Sequence, residues 1–164
     1  TTDRNVPTQE ATGSDWLRVA GGCDETCALR ADNLLFCWGS NASGALGDGT
    51  TESRSTPTAV SAAGDWSSIA VGCGHVCAVN PSGHLYCWGA NAAGQLGTGD
   101  TTEQHAPVRV GTDADWLQVS GGLGFTCSKK TTGQLLCWGD NDDGQIGDGT
   151  FDDKLLPVPV VPSD

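Results

Sequence analysis

The chain has 164 residues, a net charge of −12 and no methionine, and its 24 glycines suggest many tight turns and few long helices. This charge excludes the basic face that nucleic acid requires, and no apolar run reaches the ~18 residues of a membrane span. Solubility, a basic partner or divalent cations would each account for the acidity. We therefore expect no nucleic acid and no membrane insertion, in a processed protein or a fragment without a signal peptide.

Eight cysteines are many for this length, and their even number and regular spacing indicate disulfides. Disulfides persist in oxidising compartments. The sequence therefore predicts a secreted protein that is extracellular or at the cell surface, with a periplasm as a further option.

A repeat of 50 residues runs through the sequence without insertion. The recurring residues are Trp16, Trp66 and Trp116; Trp38, Trp88 and Trp138; Cys27, Cys77 and Cys127; Cys37, Cys87 and Cys137; and Pro7, Pro57, Pro107 and Pro157. Each unit opens with Asp-Trp, continues through an apolar alternation, a hairpin and Cys-Trp-Gly, and closes on Pro-x-x-Val. About four short strands per unit of this length are typical of propeller blades. The predicted class is all-β.

The prolines mark the unit boundaries. Val60, Val110 and Val160 each end a Pro-x-x-Val segment, whereas the equivalent position after Pro7 is Glu10. Complete units should therefore span 16–60, 66–110 and 116–160, after a weakly ordered lead-in over 1–15. These would be three four-stranded antiparallel blades of one propeller-type domain, forming an open arc or part of a larger propeller.

The hairpin of the second unit can be placed in register. Pro81-Ser82-Gly83 suits a three-residue loop with Gly83 in the left-handed conformation. This loop sets Cys77 opposite Cys87, at a separation that a disulfide can close. The same count gives the pairs Cys27 with Cys37 and Cys127 with Cys137.

Two cysteines remain outside the hairpins. Cys23 and Cys73 lie one repeat apart, and Leu123 holds the third place. A bridge between neighbouring repeats would use both and would explain the missing third cysteine. The alternative is two free or intermolecular thiols.

A recurring segment connects the repeat to a known family. The pattern Cys-Trp-Gly-x-Asn-x-x-Gly-x-(Leu/Ile)-Gly-x-Gly resembles the signature of the regulator of chromosome condensation repeat, and Gly72 to Ala78 is similar to that family's Gly-x-x-His strand. The pattern occurs three times, and its part from tryptophan to the last glycine spans Trp38 to Gly49, Trp88 to Gly99 and Trp138 to Gly149. The resemblance covers residues 16–160.

The resemblance implies a β-propeller, commonly of seven blades, that binds proteins through loops on its faces. The family includes nuclear exchange factors for small GTPases and bacterial secreted propellers. This chain departs from the nuclear members in its acidity, its cysteines and its three units, and it looks more like the cysteine-bearing bacterial extracellular type. An exchange factor is kept as an alternative function.

Three blades would leave two apolar blade faces without a neighbour. Either the chain is a piece of a longer propeller, or copies associate head to tail to bury these faces. Such heterologous contacts close into a ring or continue as a filament. The predicted partner is accordingly another protein or a further copy of this chain.

Little in the sequence points to catalysis. His75, His84 and His105 do not recur at equivalent positions, and no phosphate-binding loop or nucleophile elbow is present. Zinc is disfavoured because tight Cys-x-x-Cys pairs are absent and the hairpin cysteines have partners. The sequence therefore predicts no enzyme and no cofactor.

The acidic residues leave a calcium site as an exception to the prediction that no cofactor is bound. Asp140, Asp142, Asp143 and Asp148 crowd one loop, and carboxylate oxygens are the ligands that Ca²⁺ prefers. The equivalent loops of the other units have lost most of these acids. A solvated acidic loop is the simpler interpretation, with a calcium site as the alternative.

Binding residues should lie where the repeat varies. The tryptophans recur in every unit, as core residues do, so they are assigned to packing between sheets. The variable candidates are Arg54, His105, Phe151 and Lys154. The predicted function is a secreted, non-enzymatic protein-binding or self-assembling module. A carbohydrate-binding propeller is the main alternative.

Overall fold

The computed structural model describes residues 15–61 and 64–162, and within those ranges the regular elements are all β-strands. Four strands belong to each of three groups. The first is β1 (Trp16–Gly21), β2 (Glu25–Arg30), β3 (Leu35–Gly39) and β4 (Arg54–Ala59); the second is β5 (Ser68–Val71), β6 (His75–Val79), β7 (Leu85–Gly89) and β8 (Gln104–Arg109); the third is β9 (Trp116–Gly121), β10 (Phe125–Lys130), β11 (Leu135–Gly139) and β12 (Lys154–Pro159).

Each group forms one antiparallel sheet whose strands follow chain order. We call these sheets blade 1, blade 2 and blade 3, and their strands lie inside the predicted units 16–60, 66–110 and 116–160. The predicted lead-in, 1–15, lies outside the described residues except for Asp15. The all-β prediction of propeller blades is confirmed.

The hairpins have the register that the turn sequence predicts. Gly83 adopts φ +76°, and Gly133 and Asn33 adopt φ +92° and +63° at the equivalent positions. The backbone N–H of Asn80 donates to the carbonyl of His84 at 3.0 Å, which closes the loop. Left-handed backbone at this position favours glycine or asparagine. The loop chemistry therefore sets which residues face each other across each hairpin.

The core of the molecule lies between neighbouring blades. Along β6, Val76 and Ala78 pack with residues of blade 1, whereas Cys77 and Val79 pack with residues of blade 3. This alternation follows from the two-residue period of a strand that is buried on both faces. Each blade thus has a front face towards the following blade and a rear face towards the preceding one.

The tryptophans of the repeat belong to the rear faces. Trp66 and Trp88 of blade 2 pack against Leu29, Leu35 and Leu46 of blade 1. Trp116 and Trp138 of blade 3 pack in the same way against blade 2. β1, β5 and β9 are neighbours across the blade boundaries, so the first strand of each blade lies on the inside of the arc.

Candidate interaction surfaces

The long loop between the third and fourth strands of each blade is held by a buried asparagine. In blade 1 the side-chain amide of Asn41 donates to the carbonyls of Thr50 and Glu52 at 3.0 and 3.1 Å, and its Oδ1 accepts the N–H of Leu46 at 2.9 Å. Asn91 and Asn141 make the equivalent bonds. The asparagine of the family signature therefore shapes the loop and is unavailable to a ligand.

These loops also join each blade to the next. The indole Nε1 of Trp88 donates to the carbonyl of Ala45 at 2.9 Å. Gly47, at φ +65°, lies against the same ring, where a Cβ would come within 2.6 Å of Nε1. Trp138 and Gly97 repeat the arrangement with the carbonyl of Gln95. The repeated spacing of glycine and tryptophan in successive units thus builds the junction.

A buried polar chain crosses the junction between blades 2 and 3. The hydroxyl of Thr126 donates to the carbonyl of Gln95 at 2.8 Å and lies 3.0 Å from Nε2 of His75. Since that hydroxyl proton is already used, Nε2 of His75 must be the donor. His75 is 1 % exposed, so its ring is held as the neutral Nε2–H tautomer.

Burial lowers the pKa of His75 to about 4, although the backbone of Cys73 favours the protonated ring and opposes the shift. The deprotonated Nδ1 has no donor among the described residues. Glu25 takes the equivalent position at the other junction, where its carboxylate accepts the backbone N–H of Gly74 at 2.6 Å. The histidine and the glutamate are junction residues, in keeping with a structural role.

The eight cysteines form four disulfides in the pairs expected from the sequence. Cys27–Cys37, Cys77–Cys87 and Cys127–Cys137 each join directly opposed residues of a hairpin, with Cα atoms 4.1 Å apart. Cys23–Cys73 joins blade 1 to blade 2, with Cα atoms 5.0 Å apart. Four disulfides suggest an oxidising environment.

Two of the predicted binding residues are occupied within their own blades. The guanidinium of Arg54 pairs with Asp48 at 3.0 Å and with Glu52 at 3.1 Å, and the amino group of Lys154 pairs with Asp148 at 3.0 Å. Hydrogen bonds from Thr150 and Lys154 lower the pKa of Asp148 to about 2. These two cationic side chains therefore stabilise their own loops. A partner would have to break these ion pairs in order to bind them.

The other two predicted binding residues lie at the loop surface. His105 is half-buried beside Gly44 of blade 1, and its Nε2 lies 3.0 Å from the carboxylate of Glu103. Phe151 is 71 % exposed and lies beside Gly144 of its own loop. Of the four candidates, Phe151 is the one whose side chain stands free for a partner.

The acidic loop of blade 3 brings two of the four predicted carboxylates together with a third that the sequence did not single out. Asp140 and Asp142 lie with Asp153, their carboxylate oxygens within 4.8 Å of one another. Asp148 instead binds Thr150 and Lys154, and Asp143 lies outside the cluster. Asp153 joins this cluster because the loop folds back, and its carboxylate accepts the backbone N–H of Asn141.

A surface that the repeat pattern did not single out lies on the outer strand of blade 3. Leu156 is 56 % exposed, where blades 1 and 2 carry Thr56 and Ala106. It borders a concave region between blades 2 and 3 of about 300 Å³, which Trp116 and Leu136 also line. Its signal in the sequence is an apolar residue at a place where the other units are polar or small.

No helix among the described residues has the length and apolar character needed to cross a membrane.

Comparison with known proteins assigns most of the chain to one kind of repeat. The family model of the regulator of chromosome condensation (RCC1) repeat matches residues 32–79, 82–128 and 132–164. A second model of the same repeat matches residues 66–95 and 116–145. No curated protein sequence matches the chain.

Solved structures share the fold. Human WBSCR16 is 25 % identical with a TM-score of 0.82 over 92 % of this chain and 41 % of its own. Prp20p of Saccharomyces cerevisiae, described with its binding to Gsp1p and histones, is 21 % identical with a TM-score of 0.82 over 91 % and 39 %. Yeast RCC1 (Prp20) bound to Kap60 is 20 % identical with a TM-score of 0.80 over 91 % and 37 %. The chain thus spans about two fifths of the length of these proteins.

Proposed function

Because the chain belongs to the regulator of chromosome condensation (RCC1) repeat family, we propose that it is a non-enzymatic protein-binding module that works in an oxidising extracellular compartment. The observation that carries the proposal is the division of labour among its residues. The repeated residues build loops and junctions, whereas the exposed apolar side chains of Phe151 and Leu156 lie at places where the units differ. A scaffold with apolar residues displayed at variable places is suited to binding proteins.

The relatives support the class of partner. Yeast Prp20p binds Gsp1p and histones, and a structure of it holds Kap60. The net charge of −12 favours a partner with basic residues. The region beside Leu156 has an apolar surface formed with Trp116 and Leu136, and Asp113 also lines it. The carboxylate of Asp113 is paired with Lys130, so a basic side chain of a partner would compete with this lysine. A segment with apolar and basic side chains would fit there.

Location outside the cytosol is proposed from the disulfides. Four disulfides use every cysteine, and those of the first two hairpins are 0–1 % exposed. A chain cross-linked by disulfides in this way depends on a compartment that keeps its cysteines oxidised. The need for an oxidising compartment also argues against a cytosolic or nuclear exchange factor.

Panning a random peptide library against the oxidised chain tests the proposal. We expect enriched peptides with apolar and basic residues, bound saturably and at least tenfold more weakly by Leu156→Ser. Ser82→Ala, at an exposed hairpin tip, is the matched control and should bind like the unchanged chain. A saturable sugar ligand on a glycan array, with no enriched peptide, would instead establish a lectin.

A further inference from the structure

Blade 3 lacks an aromatic residue that the other two blades share. In blades 1 and 2, the tryptophan of the first strand packs edge-on against a ring of the third strand, Phe36 or Tyr86. The ring centroids lie 5.7 and 5.5 Å apart, with the ring planes at 86° and 85°. Blade 3 keeps the tryptophan, Trp116, but has Leu136 at the place of the ring. The aromatic pair is therefore incomplete in this blade.

Blade 1 also places a cation over the ring. The guanidinium of Arg30 lies 4.6 Å from the ring centroid of Phe36. The equivalent residue of blade 3 is Lys130, whose ammonium lies 5.0 Å from the ring centroid of Trp116 and pairs with two carboxylates of the connection between blades 2 and 3. Blade 3 thus keeps the tryptophan and the cation of blade 1 and lacks the ring that contacts both.

An open concave region borders the incomplete pair. It has a volume of about 300 Å³, and its walls include Val110 of blade 2 together with Trp116, Leu136, Leu156 and Pro157 of blade 3. Binding pockets for small molecules start at roughly this volume, so one side chain fits inside. The region lies between two neighbouring blades, and its walls are complete within this chain.

We propose that this region binds an aromatic side chain, a phenylalanine or a tyrosine, of a partner protein. The ring takes the place that Phe36 and Tyr86 fill in the other blades, edge-on against Trp116 and with the ammonium of Lys130 over its face. The inference rests on the proposed protein-binding function and names the side chain that the region beside Leu156 selects.

The chemistry of the region favours a ring over an aliphatic side chain. An edge-to-face pair of rings is more stable than its buried area alone accounts for. An ammonium is attracted to the face of an aromatic ring, whereas it gains nothing from a leucine or an isoleucine. Leu156, which is 56 % exposed, adds apolar contact at the rim for either kind of side chain.

The isolated side chain can be tested before a partner is known. N-acetyl-phenylalaninamide and N-acetyl-leucinamide are titrated into the oxidised, isotope-labelled chain, while the assigned indole N–H signal of Trp116 is followed by NMR. We expect the phenylalanine amide to bind saturably with a Kd of about 1–10 mM, as is usual for a ligand of this size. The leucine amide should bind at least ~5-fold more weakly. Equal affinities, or the absence of a saturable shift, would overturn the inference.

Filling the region from within the chain gives a second test. Leu136→Phe restores the residue of blade 1 and should weaken binding of the phenylalanine amide at least ~10-fold, because the new ring occupies the place of the ligand. Leu136→Ile is the matched control, since it keeps a branched aliphatic side chain, and should bind the amide within about twofold. Unchanged binding by Leu136→Phe would contradict the proposed place of the ring.

The contribution of the cation is tested by Lys130→Met, which keeps an apolar stem and removes the ammonium. We expect binding of the phenylalanine amide to weaken about threefold, with the affinity for the leucine amide unchanged. An equal loss for both amides would show that the lysine acts through packing alone and would overturn the placement of its ammonium over the ring.

These experiments fail separately from peptide panning. Enriched peptides that depend on Leu156 but carry no aromatic residue would refute the aromatic site and leave protein binding standing. Saturable binding of the phenylalanine amide at Trp116 with no enriched peptide would refute the proposed protein-binding function while the region still selects a ring.

Discussion

At the scale of single residues, the buried polar groups matter most for stability. Water cannot reach them, so a hydrogen-bond partner lost within the protein is not replaced. His75 is the clearest case, since its ring is buried in neutral form and its pKa is lowered to about 4. A group whose pKa is lower in the folded state stabilises the fold fully above its unfolded value, near 6.5, and this stability is lost as the pH falls towards 4.

We therefore expect the free energy of unfolding to fall by about 3 kcal/mol through His75 between pH 6.5 and pH 4. His75→Gln keeps an N–H donor for Thr126 without a titrating group. Chemical denaturation of both proteins across this range measures the effect, since the carboxylates shared by the two proteins cancel in the difference. Parallel pH curves for the two proteins would contradict the assignment.

The loop asparagines should be as important to stability as a core residue. Asn91 is 1 % exposed and satisfies two carbonyls and one N–H of its loop. Asn91→Ala leaves these groups buried without partners, and we expect a loss of about 2–4 kcal/mol in the free energy of unfolding. Thermal or guanidinium unfolding measures it. Ala92→Ser, at the exposed neighbouring position, should change stability by less than about 0.5 kcal/mol.

At the scale of elements, the disulfides differ in accessibility. Cys23 is exposed at the junction of blades 1 and 2, whereas Cys77 and Cys87 are 1 % and 0 % exposed inside their hairpin. We expect a mild reductant to open Cys23–Cys73 first, because a thiolate must reach a sulfur atom to attack it. Differential alkylation followed by mass spectrometry gives the order. Earlier opening of Cys77–Cys87 would show that the hairpins unfold before the junction is reduced.

The blades were predictable from the sequence because three copies reinforce each weak signal. The hairpin register follows from the turn residues, as at Gly83, and sets the opposed cysteines without knowledge of the tertiary structure. The turn residues do not predict the contacts between blades. The pairing of His75 with Thr126 joins residues 51 positions apart and depends on how two sheets pack.

The candidate site was less predictable for a related reason. Arg54 and Lys154 stand at variable places, yet both pair with a carboxylate six residues earlier in the same loop. Asp153 joins Asp140 only because the loop folds back through Asn141. The spacing of residues along the chain does not reveal where a loop folds back on itself. The apolar Leu156, in contrast, is found by comparing the three units directly.

At the scale of the whole molecule, the net charge of −12 affects how a basic partner binds. Attraction between this charge and a basic peptide acts over the Debye length, which falls from ~30 Å at 0.01 M salt to ~8 Å at 0.15 M. We therefore expect the binding of an enriched peptide with basic residues to weaken several-fold over this range, because salt screens the attraction. Peptide titrations at the two salt concentrations measure the effect, and affinity that does not change with salt would mean that apolar contacts alone hold the peptide.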